Sequence, residues 1–280
     1  MNNPLENYYR NKEIYIKLPS GGKWYKTKPK LSVSGEIGIM PMTTKDEMIL
    51  KVPDSLYNGE SLFIVIKSVA PDIENPYDVA IPDVDAILIA TRAVTQGKDM
   101  NVSVKCPNCN EITDYAIDIP SMLSKIKTIN DDVEIEIKHL KLKLKPNTLA
   151  IMTASSIESV EVARLRKTIV DLEAKNDFEN SKKLVEQSLN RIAAANLAVI
   201  ADMIESVTTP DGTIVTEYTD ILQWVQNLDL KSNERIKKAG EHLNVSGIPR
   251  THTFTCSNEL CNHTFDASVE INPTFFFTPK

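Results

Sequence analysis

Val104-Lys105-Cys106-Pro107-Asn108-Cys109-Asn110 and Phe254-Thr255-Cys256-Ser257-Asn258-Glu259-Leu260-Cys261-Asn262 decide how this chain is organised. Cys106 and Cys109 have the two-residue spacing of a metal knuckle, whose turn aims both thiolates at one point and lets backbone amides reach the sulfurs. Cys256 and Cys261 are separated by four residues, a looser version of the same device. Asn110 and Asn262 each follow the second cysteine, where the turn calls for a residue that tolerates positive φ. The flanks repeat in register. Counted from the second cysteine, Asp114 matches Asp266, Ile117 matches Val269, Asp118 matches Glu270 and Ile119 matches Ile271. Val104 and Phe254 each lie two residues before the first cysteine, and both copies run on to a proline, Pro120 and Pro273. Each copy therefore reads as strand, cysteine turn, alternating strand. Two such hairpins facing one ion make a zinc-ribbon arrangement, with Cys106, Cys109, Cys256 and Cys261 as ligands to a structural Zn2+.

Working outward, the interval between the pairs is mostly helical. Residues 158–178 and 181–207 are charged and rich in Ala, Leu and Ile, with Val162, Leu165, Ile169 and Leu172 at helical spacing. This pattern suits an antiparallel helical hairpin packed on its own domain or a coiled-coil surface for a partner. Shorter helices are expected over 219–228 and 232–242. Before the first knuckle, Ile14, Ile16 and Leu18 alternate as a strand, Pro19-Ser20-Gly21-Gly22 turns, and Leu31, Val33, Gly35, Ile37 and Ile39 read as a second hairpin. Thr44 with Glu47 predicts a capping box, and a helix is expected over 61–70. Asp83 is the expected N-cap of a helix over 84–96 closed by Gly97. Residues 131–146 alternate with a phase slip at Lys138-His139, either a hairpin corner or a bulge.

The fold class predicted is α+β: a β-rich module carrying the ribbon-like pair of knuckle hairpins, interrupted by a helical insertion. The expected units are residues 1–150, a helical domain over 151–248, and a C-terminal hairpin over 249–280 that packs back on the first unit. Closing a loop from Cys109 to Cys256 costs on the order of 4–5 kcal/mol. Structural zinc contributes about 10–16 kcal/mol in small peptides, so one ion is able to hold both pairs. Four thiolates leave no open coordination position, which makes the expected metal structural and not catalytic. His252 and His263 stand near the second pair as substitute ligands or as plain surface residues.

Composition removes several functions. The chain has 280 residues, 42% hydrophobic and 25% charged, the profile of a globular protein of about two cores. Lys plus Arg is 32 against 38 Asp plus Glu, a net charge of −6, and the knuckle flanks carry Glu111, Asp114, Asp118, Glu259, Asp266 and Glu270. A phosphate backbone is therefore a disfavoured partner, although a ribbon adaptor that recruits a nucleic-acid-processing complex remains the alternative function. The longest apolar runs, 62–66, 86–90 and 197–201, are far short of the ~20 residues of a membrane-spanning helix. The N-terminal stretch lacks signal-peptide character, so a cytosolic chain is expected, with metal-bound or free thiols rather than a disulfide framework. Walker, dinucleotide, HExxH and GxSxG patterns are missing, and strand chemistry after Cys109 argues against a redox enzyme. Phe275, Phe276 and Phe277 are candidates for a core groove or for a partner-docking anchor.

Taken in order, these residues resemble the baseplate-hub proteins of T4-like contractile-tailed bacteriophages. The resemblance rests on Leu18-Pro19-Ser20-Gly21-Gly22, on Pro41-Met42-Thr43 leading to Asp46-Glu47, and on Asn58-Gly59. It continues through the helix with Asp83, Asp85 and Arg92 closed by Gly97, the Cys106–Cys109 knuckle, the second cysteine pair and the final aromatic run. It implies a non-enzymatic viral protein of hub and tail assembly, either a virion component or an assembly chaperone. Its partners would be other hub proteins or the tape-measure protein, met in the host cytoplasm, with oligomerisation inside the hub also implied.

Overall fold

The computed structural model describes residues 4–51, 59–130 and 132–269. Pro53, Asn58 and the Phe275–Phe277 run lie outside them.

The chain is α+β, with short antiparallel sheets packed among helices. Strands β1 (Ile14–Lys17) and β2 (Glu36–Ile39) pair with each other, Ile16 opposite Ile37. The second hairpin expected over 31–39 does not form. Leu31 and Val33 are exposed in the connection, where Ser32, Ser34 and Glu36 bond among themselves and Gly35 takes a φ of 78°.

Helix α1 (Thr44–Leu50) is capped one residue earlier than the sequence reading places it. Thr43 accepts from the Asp46 N–H while the Asp46 carboxylate accepts from the Thr43 N–H, so Asp46 takes the role expected of Glu47. Asp46 is also held by Arg10 and Ser68, which fixes its position. Helix α2 (Glu60–Val69) follows, then α3 (Ile81–Gln96), the centre of the first core. All residues from Pro82 to Thr91 are buried, and a helix buried on every side must be surrounded by other elements. Here Asp83 is not the N-cap. The helix begins at Ile81 with a proline in its first turn, and Asp83 sits inside it.

Strands β3 (Asp99–Lys105) and β4 (Ile112–Asp118) form the first knuckle hairpin, and the short helix α4 (Ile119–Ser124) is capped by Asp118. Strands β5 (Glu134–Ile137) and β6 (Leu140–Leu144) turn at Lys138-His139, both with positive φ, so the phase slip is a hairpin corner. Long helices α5 (Leu149–Ala174) and α6 (Phe178–Asp202) make the antiparallel hairpin. The second ends at Asp202 instead of running to 207, because Ile204–Thr208 becomes β7 and pairs with β6. With β8 (Ile214–Val215) they complete a sheet ordered β5-β6-β7-β8, which straddles residue 150. Helices α7 (Tyr218–Gln226) and α8 (Leu230–Asn244) cover it, and β9 (Thr251–Thr255) and β10 (Thr264–Ser268) form the second knuckle hairpin.

Two apolar cores result. The first gathers residues from Ile16 to Met122 with Leu149, Ile248, Phe254 and Val269. The second gathers Ile129, Ile137, Leu142 and Leu144 with Ile200, Ile204, Val207, Ile221, Val225, Ile236 and Leu243. The chain leaves the first core near residue 127, touches it again at Leu149 and returns at Ile248. Backbone bonds knit the crossing: Ile129 N–H donates to Pro19 O at 2.8 Å and Lys127 N–H to Gly247 O at 2.9 Å. Gly247 has a φ of 94° and a Cβ there would stand 2.6 Å from Pro19 Cβ, so the crossing needs glycine. Among the described residues no helix is long and apolar enough to cross a membrane.

Candidate metal centre

The first knuckle turn is built by the Cys106 N–H donating to Glu111 O at 2.8 Å and the Asn110 N–H donating to Cys106 O at 2.9 Å. The second repeats it with two extra residues. Cys256 N–H donates to His263 O, while the N–H groups of Cys261 and Asn262 both donate to Asn258 O, each at 2.9 Å. The Asn258 side chain takes the Leu260 N–H at 3.0 Å, folding the additional residues into a side-chain-supported turn. Asn110 and Asn262 have φ of 63° and 41°, the conformation for which asparagine was expected at both places.

These two turns meet. Cys106 Sγ lies 3.9 Å from Cys261 Sγ and Cys109 Sγ 3.5 Å from Cys256 Sγ. All four sulfurs fall within 4.8 Å of one another. Zinc–sulfur bonds of about 2.3 Å in a tetrahedron set sulfurs roughly 3.8 Å apart, so the spacing fits one such ion. A four-sulfur donor set is soft and favours zinc or iron over magnesium or calcium. Cys106 and Cys256 are buried, Cys261 is partly exposed and Cys109 is exposed. Neither His252 nor His263 belongs to the cluster. The His263 ring stacks on Phe265 instead, at a centroid distance of 6.1 Å.

Side chains across the junction support the cluster. Asn108 Nδ2 donates to Cys261 Sγ at 3.3 Å, and Asn258 Nδ2 donates to Glu111 Oε2 at 2.8 Å. The Asn108 amide, with the His263 backbone N–H, brings the Cys261 thiol down to about 7, because hydrogen bonds to sulfur favour thiolate. Cys256 moves oppositely, up to about 12: the Asn258 backbone N–H lowers it, but desolvation and the other three thiols outweigh that donor. Tyr115 OH donates to Thr255 O at 3.0 Å and its ring packs 4.8 Å from Phe254. Asn108, Asn258 and Tyr115 were not singled out in the sequence. A polar residue inside a knuckle was the available signal for the two asparagines, but its partner lies about 150 residues away.

The base of the second hairpin is anchored to the first core. Arg250 Nη2 pairs with the Asp85 carboxylate on α3, and Val269 N–H donates to Arg250 O at 2.8 Å. Burial pushes Asp85 up to about 6, with the Arg250 guanidinium opposing the rise. Two residues earlier in the same helix, Asp83 is wholly buried and accepts from the Ser20 N–H at 2.7 Å, the Ser20 hydroxyl and the Tyr25 hydroxyl at 2.8 Å. Two residues of the sequence motif thus tie the N-terminal turn and the C-terminal hairpin to one helix. A groove of about 430 Å³ opens between β4, α4 and β9, walled by Tyr115, Ile117, Met122, Lys125, His252 and Phe254. None of the four cysteines lines it, so the cluster stands apart from this groove.

Comparison with the curated proteins and with the solved structures gave no match. A family model described as T4 bacteriophage base plate protein matches residues 11–277, from before β1 to the aromatic run and across both knuckles. Because the match takes in both cores and both knuckle hairpins, this chain belongs to the T4 bacteriophage base plate protein family.

Proposed function

We propose that the chain acts in building the baseplate hub of a contractile tail, as a structural component or an assembly chaperone and not as an enzyme. Family membership over nearly the whole chain carries this reading. The four sulfurs, within 4.8 Å and drawn from hairpins that flank the whole helical insertion, support a structural Zn2+ on Cys106, Cys109, Cys256 and Cys261. When bound, the ion would neutralise thiolate charge and clamp the two hairpins into a ribbon-like unit. The protein's own residues do the rest: Asn108 and the knuckle amides orient the sulfurs, and Tyr115 and Phe254 pack beneath them.

The partners proposed are other hub proteins or the tape-measure protein, met in the host cytoplasm. Phe275, Phe276 and Phe277 are the proposed anchors, since aromatic side chains dominate interface energies. Phage lacking this gene should make heads but no complete baseplates, as seen by electron microscopy of lysates. Normal infectious tails in that strain would remove the assembly role. Deleting the last six residues should weaken hub assembly while metal content stays at about one zinc per chain by elemental analysis. Loss of metal on that deletion would instead assign the aromatics to the core.

A further inference from the structure

All four sulfurs lie within 4.8 Å of one another, and two close contacts run between the hairpins, Cys106 to Cys261 at 3.9 Å and Cys109 to Cys256 at 3.5 Å. Each pair joins one reachable thiol, Cys261 or Cys109, to one buried thiol, Cys106 or Cys256. That is the arrangement of an attacked and a resolving cysteine. We propose that, with metal withdrawn in an oxidising medium, these four residues close two disulfides across the hairpins, Cys106–Cys261 and Cys109–Cys256, and so keep the clamp shut without the ion. The trigger rests on reading the cluster as a metal site, whereas the pairing rests on the sulfur geometry alone.

The chemistry needs a peroxide as oxidant. The exposed Cys109 thiolate attacks one peroxide oxygen, the O–O bond breaks, and hydroxide leaves and takes a proton to become water. The resulting sulfenic acid is attacked by the Cys256 sulfur; its S–O bond breaks, and the departing oxygen and the Cys256 proton leave as water. Two electrons pass from the sulfur pair to one peroxide, and Cys261 with Cys106 repeats the sequence. Once one of these bonds has formed, the only partner left for each remaining thiol lies on the other hairpin. Closure within each knuckle would instead leave the hairpins without a covalent tether, held by Tyr115 against Phe254 and by the side-chain bonds from Asn258 to Glu111 and from Tyr115 to Thr255. A bond from Cys109 to Cys256 spans 147 positions and one from Cys106 to Cys261 spans 155. Both would restrain the unfolded chain far more than a short knuckle ring.

The test uses the full chain, purified under reductant, assayed for zinc, stripped with a chelator, treated with hydrogen peroxide and digested with trypsin. Cleavage after Lys105 and Lys125 and after Arg250 yields fragments 106–125 and 251–280, each carrying one cysteine pair. The expected product is one joined species, lighter than the two fragments together by two hydrogens per disulfide and separated by dithiothreitol. Separate fragments, each closed on itself or oxidised to sulfinic acid, overturn the proposal. A Cys109→Ser/Cys256→Ser variant should still join through Cys106 and Cys261, and failure to do so overturns the stated pairing. A preparation free of zinc that nonetheless joins defeats the metal reading and leaves this one standing; a zinc-bearing one that closes within each knuckle does the reverse.

Discussion

Asp83 is wholly buried and accepts from three donors, the Ser20 amide, the Ser20 hydroxyl and the Tyr25 hydroxyl. Desolvation outweighs them and pushes its carboxyl up to about 6. A raised carboxylate pKa means the folded protein binds a proton that the unfolded chain, with its ordinary value near 3.8, does not. Between those values the folded state gains stability as pH falls, by up to about 3 kcal/mol for this residue. Asp83→Asn removes the titration. The stability difference between wild type and this variant should therefore shift in favour of wild type as pH is lowered from 7 to 4, measured by denaturant unfolding. A pH-independent difference would mean that Asp83 stays charged, held by its donors.

At the scale of elements, the knuckle hairpins depend on two tethers, the sulfur cluster at their tips and the Arg250–Asp85 pair at their base. Cys109→Ser should abolish the proposed zinc site and release β9 and β10 while α6 to α8 persist, since those helices pack on a separate core. Hydrogen exchange should thus accelerate in the hairpins and stay slow in Ile221, Val225 and Ile236. Uniform acceleration would mean that both cores unfold as one. Arg250→Met leaves the buried Asp85 without its cation and should destabilise by about 2–3 kcal/mol, discounted because the arginine is partly exposed. Adding Asp85→Asn should recover much of that loss in thermal unfolding.

For the whole molecule, the two cores are joined at Pro19, Lys127, Ile129 and Gly247 and again where Asn147 and Leu149 meet Ile81 and Val79, and the long α5–α6 hairpin leaves Val170, Phe178 and Leu189 exposed. A chain of net charge −6 with acidic knuckle flanks should bind DNA no better than weakly at physiological salt. A steep salt dependence with sub-micromolar affinity, measured by fluorescence anisotropy, would favour the adaptor function over the hub.

The sequence by itself determined the α+β class, the four cysteines, the hairpin form of both knuckles and the helical block between them. Those features follow from spacing and periodicity over a few residues, which local backbone preference obeys: Asn110 and Asn262 adopt positive φ wherever the knuckle goes. Helix α2 and the C-terminal glycine of α3 were legible for the same reason. Only the tertiary structure decided that Ile204–Thr208 leaves the helix to pair with β6, because β-branched residues there gain a buried partner strand. It also decided that Asp83 is a buried acceptor rather than a cap, since Ser20 and Tyr25 reach it from 63 and 58 positions away. The same holds for the cross-hairpin bonds of Asn108 and Asn258 and for Asp85 with Arg250. Contacts of that separation exist only after both cores have formed, and no local pattern encodes them.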